Sequence, residues 1–175
     1  MGMDVHGLNP KQNKKLEDFP ILHKYKKMEE DFSFSKKWKE LDADEELKRK
    51  YLHQDEQYQQ ANKGVYFRSN CWWWRPLWDF CYQSTEGIIP HELWERGHHN
   101  NGAGLDSENA EKLGKEIMLL IADGTAIRHE EAYKKAMEQR KKIDKNDMSA
   151  DYPFDVVHLE EFAHFCLESG GFEIW

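Results

Sequence analysis

Long hydrophobic runs are missing from this chain. Its longest apolar stretch covers residues 117–122, whereas a helix needs about 20 consecutive apolar residues to span a bilayer. Residues 1–5 show no basic segment followed by an apolar one, so the sequence predicts no secretory signal. We therefore expect a cytoplasmic protein.

Cysteine is scarce, with three in 175 residues. Cys71, Cys81 and Cys166 stand in aromatic or apolar surroundings, and they lack the paired spacing of a disulfide framework or a metal site. A free cysteine behaves as a small hydrophobic residue and is commonly buried. The sequence therefore predicts three buried free thiols.

Positive charge is in short supply outside one segment. Residues 11–63 hold 13 of the 25 Lys and Arg residues and 12 of the 33 Asp and Glu residues. The rest of the chain therefore holds 12 basic and 21 acidic residues, a net charge of −9, while the whole chain has −8. Such an acidic surface repels a phosphate backbone, which excludes general nucleic-acid binding.

Familiar catalytic motifs are missing too. The chain has no Gly-x-Ser-x-Gly, and no Lys-Ser/Thr follows the glycines of residues 97–104, so it has no P-loop. Glu95 stands where a zinc protease motif starting at His91 would need its second histidine. His158 and His164 lie six residues apart on a predicted helix, and we interpret both as structural. The sequence predicts no cofactor and no metal, and it favours a binding protein over an enzyme.

Tryptophan, by contrast, is concentrated in one place. Trp72, Trp73, Trp74 and Trp78 fall within seven residues, and three consecutive side chains cannot all face the same way on a helix or a strand. A core of a small protein accounts for part of this row. We assign Trp74 and Trp78 to that core and expect Trp72, Trp73 or both to face a site.

Two neighbouring segments indicate what such a site would bind. Arginines interleaved with aromatic rings can sandwich a planar group and pair with a phosphate or carboxylate. Residues 98–104, rich in His, Asn and Gly, can direct backbone N–H groups at a ligand, although they also suit a tight turn into a capped helix. The predicted ligand-binding residues are Tyr66, Arg68, Trp72, Trp73, Arg75, His98, His99, Asn100 and Asn101.

The pattern of the chain predicts an α+β fold, a predominantly helical single domain with a small sheet formed by the terminal strands. Residues 1–10 and 64–175 form the predicted core domain, and residues 11–63 form a charged, largely helical insertion. We expect residues 1–5 and 172–175 to be strands that pair with each other. The predicted core helices cover about 73–83, 90–96, 106–124 and 125–143. Asn70 is the predicted cap of the first, and Pro76 fits only in the first turn of that helix. A last helix is capped by Asp155.

Four fragments of the chain are distinctive: MGMDV at 1–5, YFRSNCWWWRPLW at 66–78, GHHNNGAGL at 97–105 and SGGFEIW at 169–175. Together they resemble a group of small uncharacterised proteins encoded by bacteriophages and bacterial genomes. The resemblance spans both termini and the middle but leaves out residues 11–63. It implies a phage or prophage product that acts in the bacterial cytoplasm, and by analogy a ligand-sequestering or protein-binding role.

The leading hypothesis is a phage-type accessory binding protein that sequesters a small nucleotide-like ligand in a Trp/Arg-lined pocket. Such a protein would act as a sponge for a nucleotide immune signal, as a homo-oligomer. One alternative is a module that inhibits a host protein, docking through exposed tryptophans or through residues 11–63. The other alternative is a metal-assisted hydrolase that uses His98 and His99.

Overall fold

The computed structural model describes residues 2–30 and 34–175, and it confirms the predicted α+β class. The chain divides into two compact units. One comprises residues 2–11 and Lys63–Trp175, and the other lies within Gln12–Asn62. Among the described residues, no helix is both long and apolar enough to cross a membrane.

The unit within Gln12–Asn62 contains three helices: α1 (Pro20–Glu30), α2 (Phe34–Asp42) and α3 (Glu45–Ala61). The carboxylate of Asp44 caps α3 by accepting the backbone N–H groups of its first turn. Several apolar side chains and one lysine are buried between the helices: Leu22, Tyr25, Lys37, Leu41, Tyr51 and Tyr58. Lys37 Nζ donates to Glu29 Oε1 and to the Tyr51 hydroxyl, each at 2.6 Å, which compensates for its burial.

The other unit is built on a four-stranded antiparallel sheet. Its strands are β1 (Gly2–Gly7), β2 (Tyr66–Asn70), β3 (Ala103–Leu105) and β4 (Phe172–Ile174), in the order β2-β1-β4-β3. Val5 lies opposite Ile174, so the predicted pairing of the two terminal strands is confirmed. Alternation along the strands buries Met3, Val5 and Phe67 and leaves His6 and Arg68 exposed on the other face.

Five helices accompany this sheet: α4 (Cys71–Ser84), α5 (His91–Arg96), α6 (Ser107–Ala122), α7 (Thr125–Ile143) and α8 (Val156–Glu168). The buried side chains of α4, α6 and α8 form one hydrophobic core with the inner face of the sheet. Asp155 caps α8 as predicted. All three cysteines are free; Cys81 and Cys166 are buried, whereas Cys71 is half-buried.

Two sequence predictions were wrong in detail. Residues 97–104 were expected to be a loop throughout, but Ala103 begins β3, because pairing with β4 imposes an extended conformation on residues of low strand propensity. Helix α4 begins two residues earlier than expected, since Asn70 caps it directly. Pro76 therefore lies in the second turn of the helix rather than in the first.

Candidate functional site

Two tryptophans of the row belong to the core, as predicted. Trp74 and Trp78 are fully buried and stack with their ring centroids 5.3 Å apart. Each buried indole N–H finds a backbone acceptor, Trp74 at the Gly97 carbonyl (2.7 Å) and Trp78 at the Trp94 carbonyl (3.0 Å). These hydrogen bonds attach α4 to α5 and to the start of the following loop.

The other two tryptophans leave the core in different directions. Trp72 is 43% exposed and packs on Tyr152, with centroids 5.6 Å apart. The Arg75 guanidinium lies over the Tyr152 ring, 5.9 Å from its centre. Trp73 is half-buried and meets His158 edge-on at 5.5 Å. The 100° step between successive helical residues accounts for this divergence.

An open pocket of about 260 Å³ lies where β2 ends and α4 begins, beside the first turn of α8. Its lining consists of Arg68, Ser69, Asn70, Trp73 and His158. Two local features put these residues together. Asn70 Oδ1 caps α4 by accepting the Trp72 and Trp73 N–H groups at 3.0 Å, and the Asp155 cap starts α8 so that His158 falls in its first turn. The pocket therefore lies where the end of β2 meets the first turns of α4 and α8.

The pocket carries both a cation and a hydroxyl–imidazole pair. The Arg68 side chain is largely exposed, and its Nε lies 3.6 Å from Asp4 Oδ1, a distance that leaves the pairing weak. The Ser69 hydroxyl lies 3.0 Å from His158 Nε2. Burial lowers the pKa of His158, and the nearby Glu161 carboxylate opposes that effect without reversing it. A neutral imidazole is therefore favoured at pH 7.

The predicted histidine loop reaches the same end of the sheet but does not line this pocket. Asn100 Nδ2 donates to the Gly2 carbonyl at 2.9 Å, and Gly2 lies opposite Asn70 in register. His98 Nε2 is 3.2 Å from Asp79 Oδ1. Within the described part of the chain, the buried His98 Nδ1 has no hydrogen-bond partner. The loop is thus held by the contacts of Asn100 with Gly2 and of His98 with Asp79.

Two of the nine predicted site residues, Arg68 and Trp73, line this pocket. Two others, Trp72 and Arg75, meet outside it on the Tyr152 ring. The pocket lining does not include Tyr66, Trp72, Arg75, His98, His99, Asn100 or Asn101. The Tyr66 hydroxyl instead contacts the Asp4 carboxylate on the outer face of the sheet. His99 is exposed, and Asn101 Oδ1 accepts the Ala103 N–H at 3.2 Å.

Sequence reasoning missed Ser69 and His158, and it identified Asn70 only as a helix cap. Ser69 and His158 are 89 residues apart, so no spacing rule could have paired them. The alternation of β2 and the cap at Asp155 were the available signals, because they place Ser69 at the end of a strand and His158 in the first turn of a helix.

Two other surface depressions have fewer groups suited to binding an anion. One, of about 310 Å³, lies between α7 and residues 150–154, and its Lys141 is paired with Asp151. The other, about 720 Å³ and wide open, is lined by residues of the α4–α5 connection such as Gln83 and Pro90. In the first, Lys134 pairs with Glu130 and Lys141 with Asp151, each more closely than Arg68 pairs with Asp4. No lysine or arginine that the structure describes lines the second.

Comparison with known proteins gives no further guide to the site. No protein-family model, curated protein or solved structure matches the chain. Across residues 2–30 and 34–175, no group of three or more His, Cys, Asp or Glu side chains is placed to hold a metal ion. The geometry of the pocket is therefore the guide to what this protein binds.

Proposed function

We propose that this protein binds a small planar, negatively charged ligand of nucleotide-like chemistry in the pocket at the start of α4. One observation carries the proposal: Trp73 and Arg68 both belong to the lining of the same open pocket. An indole offers a face on which a heteroaromatic ring can stack. A guanidinium offers paired donors to a phosphate or carboxylate.

The volume of the pocket limits the size of the ligand. Sites for drug-sized molecules typically span roughly 300–1,000 Å³, and this pocket has about 260 Å³. It suits one ring with one charged group, and the rest of a larger ligand would lie in solvent. A mononucleotide or the exposed end of a cyclic or ADP-ribose-type molecule meets that description.

The electrostatics favour a ligand of low charge. Residues outside 11–63 carry a net charge of −9, which repels a polyanion at long range. Arg68 supplies the local attraction, in competition with Asp4 3.6 Å away. We therefore expect monoanions to bind more tightly than triphosphates, and we expect added salt to reduce that difference by screening the long-range repulsion.

The resemblance to phage-encoded accessory proteins adds a biological setting to this proposal. In that setting, the ligand is a nucleotide-type immune signal and the protein acts by sequestering it. Sequestration requires a pocket that holds the ligand, and it requires enough of the protein to bind most of that ligand. It needs no further partner. The binding test below addresses the pocket directly.

The test is intrinsic fluorescence and thermal shift across mononucleotides, cyclic nucleotides and ADP-ribose-type molecules. Base–aromatic stacking contributes about 1–3 kcal/mol, so Trp73→Ala is expected to raise Kd by roughly 5- to 150-fold. Arg68→Gln is expected to weaken binding of anions but not of the neutral nucleoside. Trp72→Ala and Arg75→Gln are matched controls from the same helix whose side chains lie outside the pocket.

Failure of every molecule in the panel to bind would contradict the proposal.

A second candidate function, docking on a host protein, is favoured by the 43% exposure of Trp72 and its packing on Tyr152. It reverses the pattern of variants: Trp72→Ala would abolish capture of a specific partner, whereas Trp73→Ala would leave it intact.

A further inference from the structure

We infer that the same pocket has a serine nucleophile, and that Ser69 and His158 hydrolyse a small carboxylic ester bearing a planar anionic group. This inference rests on the proposed function, because the recognition of the planar anion is assigned to Trp73 and Arg68. It adds a reaction to a site that otherwise only binds.

The geometry has the order of hydroxyl, imidazole and carboxylate required for nucleophile activation. Ser69 Oγ lies 3.0 Å from His158 Nε2, and Glu161 Oε2 lies 3.5 Å from His158 Nδ1. In the tautomer with its proton on Nδ1, that N–H faces the carboxylate and the Nε2 lone pair faces the hydroxyl. The Asn70 carbonyl, 3.2 Å from Ser69 Oγ, is the alternative acceptor for the hydroxyl proton.

The protonation state suits a general base. Burial lowers the pKa of His158, against the opposing effect of Glu161 and the smaller one of Asp155. Glu161 and Asp155 come from α8 and its cap, and Arg68 is the charged group on the β2 side of the pocket. The imidazole is therefore neutral at pH 7 and able to accept the serine proton.

One donor at the pocket can stabilise a developing oxyanion. Asn70 Oδ1 is engaged by two backbone N–H groups, so the Nδ2 group is the part of that amide left to donate. Removing one such donor typically lowers kcat by roughly 100- to 1,000-fold in hydrolases.

The reaction balances with water as the only co-substrate. Ser69 Oγ bonds to the ester carbonyl carbon, its proton moves to His158 Nε2, and the carbonyl π electrons move to oxygen. When these electrons re-form the carbonyl π bond, the bond between the carbonyl carbon and the leaving oxygen breaks. The leaving oxygen then takes the proton from His158 Nε2. Water then attacks the acyl-serine and passes its proton to Nε2. The bond to Oγ breaks, Oγ recovers the proton, and the carboxylic acid leaves.

The first experiment is labelling of the full-length protein with a fluorophosphonate, followed by intact-mass measurement and mapping of the adduct. We expect one adduct, on Ser69, that is lost in Ser69→Ala and retained in Ser84→Ala. The second measures hydrolysis of 4-acetoxybenzoate, a planar monoanion, and of neutral phenyl acetate. We expect a higher kcat/KM for the anion and loss of this preference in Arg68→Gln.

Matched pairs on α8 test the roles of the base and the carboxylate. General base catalysis typically contributes about 100- to 10,000-fold, so His158→Gln is expected to lower kcat by at least about 100-fold, whereas His164→Gln is not. Glu161 acts as a positioning residue. Because Glu161 raises the pKa of His158, Glu161→Gln should shift the inflection of the pH–rate profile to lower pH, and Glu160→Gln should leave it in place.

The outcomes separate the two proposals. Absence of an adduct and of esterase activity in protein that still binds a ligand through Trp73 overturns the reaction and leaves the binding function. Labelling of Ser69 without binding of any nucleotide-like molecule overturns the binding function alone. Unchanged activity in Ser69→Ala overturns the inference, provided that circular dichroism and thermal unfolding show this variant to be folded.

Discussion

At the scale of single residues, His129 shows how the aromatic core affects a titration. Its ring packs against both Phe80 and Phe154, with centroids 4.7 Å from each, and Tyr133 lies beside it. Burial lowers the pKa of His129, and no charged group offsets that effect. The folded state thus holds the proton less tightly than the unfolded chain, whose histidines titrate near 6.5.

This difference predicts acid sensitivity of a definite sign. Above pH 6.5, His129 is neutral in both states and does not affect the free energy of unfolding. As the pH falls through 6.5 towards the lower folded value, the unfolded state binds more protons, so stability decreases. In urea unfolding at pH 7.5 and 5.5, His129→Gln should lose less stability than the parent. The exposed His99→Gln serves as control, and equal losses in parent and His129→Gln would contradict the prediction.

At the scale of elements, Asn70 connects the stability of α4 with the chemistry of the pocket. Its Oδ1 satisfies two N–H groups of the first turn of α4, and the residue also belongs to the lining of the pocket. Asn70→Ala removes both functions and is expected to lower the free energy of unfolding by about 1 kcal/mol. Asn70→Asp keeps a capping oxygen and should change stability by only a few tenths of a kcal/mol.

The two variants should nevertheless agree in function. Neither retains the Nδ2 donor, and Asn70→Asp also puts a carboxylate beside the proposed anion site. Urea titrations compare their stabilities, while the ligand-binding and esterase assays compare their pockets. Full activity in Asn70→Asp would show that the Nδ2 group plays no part in the chemistry.

The sequence predicted those elements whose signals are local. Asn70 and Asp155 were recognised as caps because a side-chain acceptor followed by helical residues is a short-range pattern. Strand β3 was missed because Ala103 becomes extended through pairing with β4, which lies about 70 residues further along the chain. His158 was judged structural for the same reason, since only folding brings it to Ser69.

At the scale of the whole molecule, the chain leaves the sheet-containing unit after Lys11 and returns to it at Lys63, and these two points are neighbours. Gly7 N–H donates to the Val65 carbonyl at 3.1 Å. Lys11 N–H donates to the Glu168 carbonyl at 2.8 Å, and a Cβ on Gly64 would overlap that same carbonyl. A short linker could therefore join Lys11 to Lys63 without disturbing β1 or β2.

We accordingly expect a variant with residues 12–62 replaced by four Gly/Ser residues to fold. The closure entropy of a loop rises slowly with its length, by about 0.6 kcal/mol per doubling, so a shorter loop adds no penalty unless it strains the ends. The hydrophobic core and the pocket draw all their residues from the retained segments. Cooperative thermal unfolding and unchanged ligand affinity, measured beside the full chain, would bear this out.

The matched control is Gly64→Ala in the full chain. It keeps every residue of Gln12–Asn62, but its added methyl group meets the Glu168 backbone where β2 begins. Overpacking of this kind typically costs about 1–3 kcal/mol. If the linker variant aggregates while Gly64→Ala unfolds like the parent, then Gln12–Asn62 is required for folding and the crossing point tolerates change. The reverse result would show that the sheet-containing unit holds the pocket by itself, and that its tightest constraint is the backbone contact at Gly64.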